Sequence, residues 1–202
     1  ERMTQPNTIE RFELVQKEYE KYIADGILRQ DEEAHIYIYR QTNNGHKFTG
    51  IVCGADNEEY RSDLIKKHEA TLTSREEMFI DYLDIVGYNA EPVLMSYPRN
   101  PVIADTLNSF TQARPEYEFT TTDRITHELW VLDANQSDEI IALFEEIPAL
   151  YIADGHHRSA SSVGLENRRI QQNRSKYANE KSFLAFIIEE DCLQILEFNR
   201  LI

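Results

Sequence analysis

One stretch restricts the fold more than any other: ALYIADGHHRSASSVG, residues 149–164. Its first five residues are short and mostly apolar, the pattern of a strand covered on both faces. Asp154-Gly155 ends that run, and glycine permits a tight turn and close backbone approach. A helix is expected from about His156 to Gln172, with Ala160, Val163 and Gly164 small enough for close packing on a sheet. A strand that turns directly into such a helix calls for a sheet with helices laid against it.

The rest of the chain supplies both kinds of element. Asn7 with Glu10 three residues on makes a capping-box pattern. Phe12, Val15, Tyr19, Tyr22 and Ile23 then recur at helical spacing until Gly26. HIYIYRQ (35–41) and KFTGIVCGA (47–55) are β-rich runs joined through Asn44-Gly45, a strong hairpin signal. Ser74 with Glu77 predicts a second helix, striped by Met78, Phe79, Tyr82, Leu83 and Val86 and stopped by Gly87. EPVLMSYP (91–98) reads as a buried strand, and Pro101 opens a helix through Phe110. Two strands follow, YEFTTTD and ITHELWVLD, with a turn near Asp123-Arg124; the second carries His127 and a core Trp130. SDEIIALFEEI is a short amphipathic helix ended by Pro148, and SFLAFIIEED with LQILEFN makes a closing strand pair. The polar gap QQNRSKYANEK (171–181) reads as a loop within one domain. Hairpins mixed with strand–helix units predict an α+β domain over residues 1–202 with a mixed β-sheet and flanking helices. Because residue 1 is Glu and the last residues run as an apolar strand, that domain is expected to be a piece of a longer chain.

Charge excludes one class of partner. Thirty-six acidic against 21 basic side chains leave a formal charge of −15, which repels the phosphates of duplex DNA, so direct DNA binding is not expected. A small anion remains admissible, because a few local donors outweigh a field screened beyond ~8–10 Å. No run approaches the roughly 18 apolar residues that a membrane span needs. Cys53 and Cys192 stand far apart without a CxxC and are expected as buried free thiols in a reducing cytoplasm.

The chemistry concentrates in two places. The first turn of the helix after Gly155 carries free backbone N–H groups and a partial positive charge. Arg158 adds a planar fork for phosphate oxygens, and His156 and His157 add donors that charge near neutral pH. Asp154 is placed to hold a divalent ion or to orient a histidine. The same residues equally describe a capped helix with surface histidines and an ion-paired arginine, and the pattern alone leaves both readings open. Zinc fits poorly, since adjacent helical residues diverge by about 100° and cannot readily share one ion. The second place is LIKKHEATLTSREEMF (64–79), where Lys66, Lys67, His68 and Arg75 form the densest cationic run. Glu69 within it is a candidate general base, against the plainer reading of a solvated charge run.

IADGHHR resembles the DGHHR-type motif of the ParB/sulfiredoxin-like superfamily. The order GIL…YIYR…FTGIV…IKKHEAT…EP…HELWVL…LYIADGHHR…NR looks like the bacterial domain-of-unknown-function 1015 family, whose members carry SpoOJ/ParA/ParB/RepB-like labels. The heptapeptide and the HExT element are the specific parts. Free-serine kinases of that superfamily are similar in two elements, a His-Glu pair whose glutamate acts as base and a DGHHR turn that grips nucleotide phosphates. The resemblance therefore implies a ParB/sulfiredoxin-like core and a nucleotide-dependent kinase of a small hydroxylated metabolite, free serine first, using ADP, ATP or another nucleotide with Mg²⁺. By position, Glu69 matches the base with His68 beside it, Gly155, His156, His157 and Arg158 match the phosphate turn, and Asp154 matches the acid that opens it and a tentative Mg²⁺ ligand. Sulfiredoxins carry a catalytic cysteine in that turn and this chain has none there, which disfavours sulfinic-acid reduction. The alternative implied by the same resemblance is a non-catalytic or NTP-hydrolysing switch, in the manner of ParB with CTP.

Overall fold

A computed structural model of the chain describes residues 4–174 and 178–194. In chain order the elements are α1 (Ile9–Ala24), β1 (Tyr37–Asn43), β2 (His46–Asp56), α2 (Asn57–Arg61), β3 (Ile65–Lys66), α3 (Thr73–Val86) and β4 (Val93–Tyr97). There follow α4 (Pro101–Phe110), β5 (Tyr117–Thr120), β6 (Thr126–Val131), α5 (Ala134–Glu145), β7 (Leu150–Asp154), α6 (His156–Gln171) and β8 (Ser182–Glu189). This is an α+β fold. Among the described residues eight strands form an open mixed sheet in the order β3-β7-β4-β8-β2-β1-β6-β5. The second closing strand expected over LQILEFN falls almost wholly outside the described residues.

Local chemistry explains most element ends. Asn44 and Gly45 take φ of 49° and 83°, as a two-residue hairpin requires, and set Tyr39 opposite Gly50 in the antiparallel register of β1 and β2. Asn100 accepts from the Val102 and Ile103 amides ahead of Pro101. Gly87 closes α3 in the left-handed region at φ 82°. Other expectations need correction. Thr8, not Asn7, caps α1, its hydroxyl accepting from the Arg11 amide. The Ser74–Glu77 box is not formed: α3 begins at Thr73 after an uncapped Leu72, and the Thr71 hydroxyl donates to the Glu76 carboxylate. A box of Asp133 with Gln136 starts α5 at Ala134, ahead of the expected Ser137. β7 is covered on one face only, with Ile152 buried and Tyr151 and Ala153 exposed on the other. Its outer neighbour β3 has only two residues and offers little surface to pack on.

Contacts divide the chain into two compact units. One is built from residues up to Ala34, Cys53–Leu94 and Tyr151–Ala185. Its core includes Phe12, Ile65, Val86, Ile152, Val163 and Phe183. Phe12 of α1 meets Tyr82 of α3 edge-on at 5.3 Å. α3 also lies against α6 so closely that a Cβ on Gly164 would stand 2.6 Å from the Ile80 methyl. Ion pairs flank that contact, Arg168 with Asp81 at 2.6 Å and Arg169 with Asp84 at 2.9 Å. Asn57, fully buried, donates to Glu166 at 2.9 Å and so ties α2 to α6.

The other unit comprises His35–Val52, Met95–Leu150 and the chain from Phe186. Ile38, Ile103, Leu107, Trp130, Leu132 and Ile140 form its core, with Trp130 inside as expected. Arg40 is buried there under Trp130, 4.9 Å from the ring centroid, and donates to Thr49 and Thr111 at 3.0 and 2.9 Å. His127 shares a 2.7 Å hydrogen bond with the Tyr39 hydroxyl. Cys53 in the first unit and Cys192 in the second are free, and both are half-buried, not buried as expected. Among the described residues no helix is long and apolar enough to cross a membrane.

Gly50 is where this packing tolerates least. A Cβ there would sit 2.3 Å from the Ile187 carbonyl oxygen, which is backbone and cannot swing aside. Gly50→Ala should therefore cost about 2–3 kcal/mol, at the upper end of overpacking penalties. Gly164→Ala, which meets a mobile isoleucine methyl, should cost less. Urea denaturation of the two variants checks the order.

Candidate functional site

The site lies within the first unit. β3 is the sheet neighbour of β7, and the residues that follow each strand meet: His68 and Glu69 after β3, the DGHHR turn after β7. The His68 amide donates to His156 Nε2 at 3.4 Å across 88 positions of sequence. The two imidazoles meet edge-on with centroids 4.3 Å apart. Glu69 Oε2 lies 3.9 Å from His156 Nδ1. Only an unprotonated Nε2 accepts an amide, so the neutral His156 ring carries its proton on Nδ1, toward the glutamate. Burial, followed by the neighbouring His68, pushes the His156 pKa below its ordinary 6.5, against the opposing pull of Glu69 and Asp154. His156 is 6% exposed whereas the Glu69 side chain is 69% exposed, so the carboxylate is held near the turn yet open to a ligand.

Gly155 makes the turn possible. Its φ of 103° is a left-handed conformation that side chains avoid, and a Cβ there would press on the Arg158 guanidinium at 3.0–3.2 Å. The arginine thus folds back over the glycine. It pairs with Asp154, pairs with Glu91 at 3.4 Å, and donates to the Pro92 carbonyl. Asp154 does not cap α6; its carboxylate holds Arg158 in place. His157 rests on Phe79, rings nearly parallel with centroids 6.4 Å apart. Its Nδ1 is buried without a hydrogen-bond partner among the described residues.

The seven candidate site residues, His68, Glu69, Asp154, Gly155, His156, His157 and Arg158, therefore fall in one neighbourhood, whereas the lysines of the cationic run are engaged locally. Lys66 pairs with Asp63 at 2.9 Å, and Lys67 donates to the Tyr60 carbonyl at 2.9 Å and covers the Tyr60 ring at 4.2 Å. Glu91 and Pro92, which fix the arginine, were not foreseen; lying just before a strand, they bear no pattern that marks them. Among the described residues no group of three or more His, Cys, Asp or Glu side chains is placed to hold a metal ion by itself. A hydrated Mg²⁺ carried on nucleotide phosphates needs only one or two protein carboxylates. Asp154, with one oxygen on Arg158 and the side chain 71% exposed, is compatible with that lesser role.

The chain belongs to the family described as protein of unknown function (DUF1015), whose model matches residues 1–202. No curated protein and no solved structure matches it.

The lowered pKa of His156 carries a stability consequence with a definite sign. Below about pH 6.5 the unfolded chain takes up a proton at this position that the folded chain refuses. Stability is therefore lost as pH falls through that window, until the folded-state pKa is reached. His156→Gln should make the decline between neutral pH and pH 5 shallower, as read by urea midpoints at each pH.

Proposed function

We propose that the protein is a nucleotide-dependent phosphotransferase acting on a small hydroxylated metabolite, with free serine the first candidate, and that its site has a ParB/sulfiredoxin-like arrangement. The observation that carries this reading is the approach of Glu69 to His156 at 3.9 Å. It puts an exposed carboxylate beside a helix N-terminus with an arginine over its first turn, and phosphoryl transfer needs such a base next to fixed phosphate donors. The acceptor hydroxyl oxygen attacks the terminal phosphorus of the donor. A new P–O bond forms, the bridging P–O bond breaks toward the departing nucleotide, and the hydroxyl proton passes to Glu69. The first amides of α6 and the remaining donors of Arg158 hold the phosphoryl oxygens, with His157 beside them in the first turn. His156 acts on Glu69 and the 68–69 backbone as a positioning residue, its buried ring fixing both relative to the turn. Mg²⁺, when bound, supplies neutralisation of the charge on the nucleotide phosphates, with Asp154 its protein-side contact.

The test is incubation of the purified chain with serine and ADP or ATP, followed by detection of phosphoserine. Glu69→Gln should slow the reaction about 100-fold, the usual size of general-base assistance, while leaving nucleotide affinity unchanged. Arg158→Ala should weaken nucleotide binding itself. Nucleotide binding that depends on Arg158, with no phosphorylated product from any hydroxy acid, would favour the switch reading. Absence of both binding and product would remove the proposal.

A further inference from the structure

Two cavities of about 240 Å³ each run along one face of α6. The first borders the DGHHR turn through Arg158 and is walled by Phe79, Tyr82 and Leu83 of α3. The second lies over Ser162 and Leu165. Leu83 and Asn89 line both, so the two cavities are neighbours along this face. Together they reach the ~300–1,000 Å³ typical of small-molecule sites. Arg158, Ser162, Leu165 and Arg169 stand at i, i+4, i+7 and i+11, hence on one helix face spanning about 16 Å.

The polar groups in this groove indicate what it takes. Ser162 is 7% exposed, and its Oγ is buried without a hydrogen-bond partner among the described residues. Buried hydroxyls are nearly always paired, so this unpartnered one, on a residue that lines the second cavity, is the group there that a ligand atom would complete. Asn89, exposed on the loop after α3, offers an amide donor and an acceptor toward the same space. The charges at this end balance: Arg169 is matched by Asp84 at 2.9 Å and Glu180 at 2.7 Å, and Asp84 also takes Arg174 at 3.2 Å. Nothing there attracts an ion of either sign. The other end is an aromatic and aliphatic wall, and Phe79 in it also carries His157 of the turn.

An apolar wall suited to a flat ring, beside a charge-balanced edge with an unpaired hydroxyl and an amide, matches a planar heteroaromatic ring with donors and acceptors on its rim. We infer that this groove binds the nucleobase of the phosphoryl donor, so that one face of α6 serves the whole nucleotide, with phosphates at Arg158 and base toward Ser162 and Asn89. The inference rests on the phosphotransferase reading for the identity of the ligand, and on the cavity and the unpaired serine for its place.

Calorimetric titration with adenosine, pyrophosphate and ADP separates the two. Leu83→Trp fills the wall shared by both cavities and should weaken adenosine and ADP at least about tenfold while leaving pyrophosphate unchanged. Ser162→Ala, which removes an unpaired hydroxyl and is expected to leave the fold at least as stable, should weaken adenosine about threefold, a typical net value for one hydrogen bond. That second variant keeps the test decisive if the tryptophan disturbs folding. ADP binding equally well to the wild type and both variants overturns the inference and leaves the phosphotransferase reading standing. Adenosine binding that both variants weaken, with pyrophosphate failing to bind, supports the groove while removing the phosphate turn. Failure of both adenosine and ADP to bind the wild-type chain overturns the inference as well.

Discussion

An imidazole that is 6% exposed must place both ring nitrogens against partners, and His156 does so by reaching outside its own helix. Nε2 receives the His68 amide and Nδ1 faces Glu69. Since His68 and Glu69 lie in irregular chain after a two-residue strand, little else around them is regular enough to fix their position. The histidine thereby converts a short, exposed loop into a wall of the site. Its neutral state is part of that arrangement, because a proton on Nε2 would leave the amide facing a donor. The candidate base thus owes its position to a ring held neutral by burial.

The helix that begins with this histidine is equally constrained along its length. Ser159 and Ser161 are fully buried, Ser162 nearly so, and Gly164 leaves no room for a Cβ beside Ile80. Small side chains bring α3 and α6 into close contact, and the buried hydroxyls of Ser159 and Ser161 bond back to carbonyls one turn earlier. Arginines 168 and 169 then clamp the far end to Asp81 and Asp84. A helix gripped at both ends can carry a ligand-binding first turn on a rigid element, which is what preorganised donors require.

How much of this was legible in the sequence follows from the range of each signal. Asn44-Gly45, Asn100-Pro101 and Gly87 act within a few residues, and the structure places the hairpin, α4 and the end of α3 where those signals put them. Capping is also local but competitive: Thr8 prevailed over Asn7, which takes φ 60°, and the Asp133–Gln136 box, itself a pattern present in the sequence, starts its helix ahead of Ser137. The five residues of α2 and two of β3 are too short to express a period, so neither was foreseen. The exposed face of β7 was missed because an apolar run does not reveal how long its neighbours are. The candidate residues themselves could be picked out by composition at a turn. Their meeting could not, since it depends on β3 lying beside β7, a pairing between segments more than 80 positions apart.

The acidity of the chain bears on the site through the arginine. Asp154 and Glu91 both face Arg158, so the cluster is net negative before any ligand arrives. On the proposed reading, an incoming phosphate would gain more of the guanidinium by displacing a carboxylate. Glu91 is the weaker of the two, at 3.4 Å and with its side chain 76% exposed, where screening leaves an ion pair worth little. Asp154 is bound at closer range and shares the turn. Exchange at Glu91 costs little and leaves Asp154 and the Pro92 carbonyl to keep the fork oriented. The same carboxylates would repel a lone weakly charged anion and would yield more readily to a ligand with several oxygens and further contacts. On the proposed reading a net charge of −15 is in this sense no obstacle: it would raise the threshold that an anion must pass, and a polyphosphate would pass it where a single carboxylate would not.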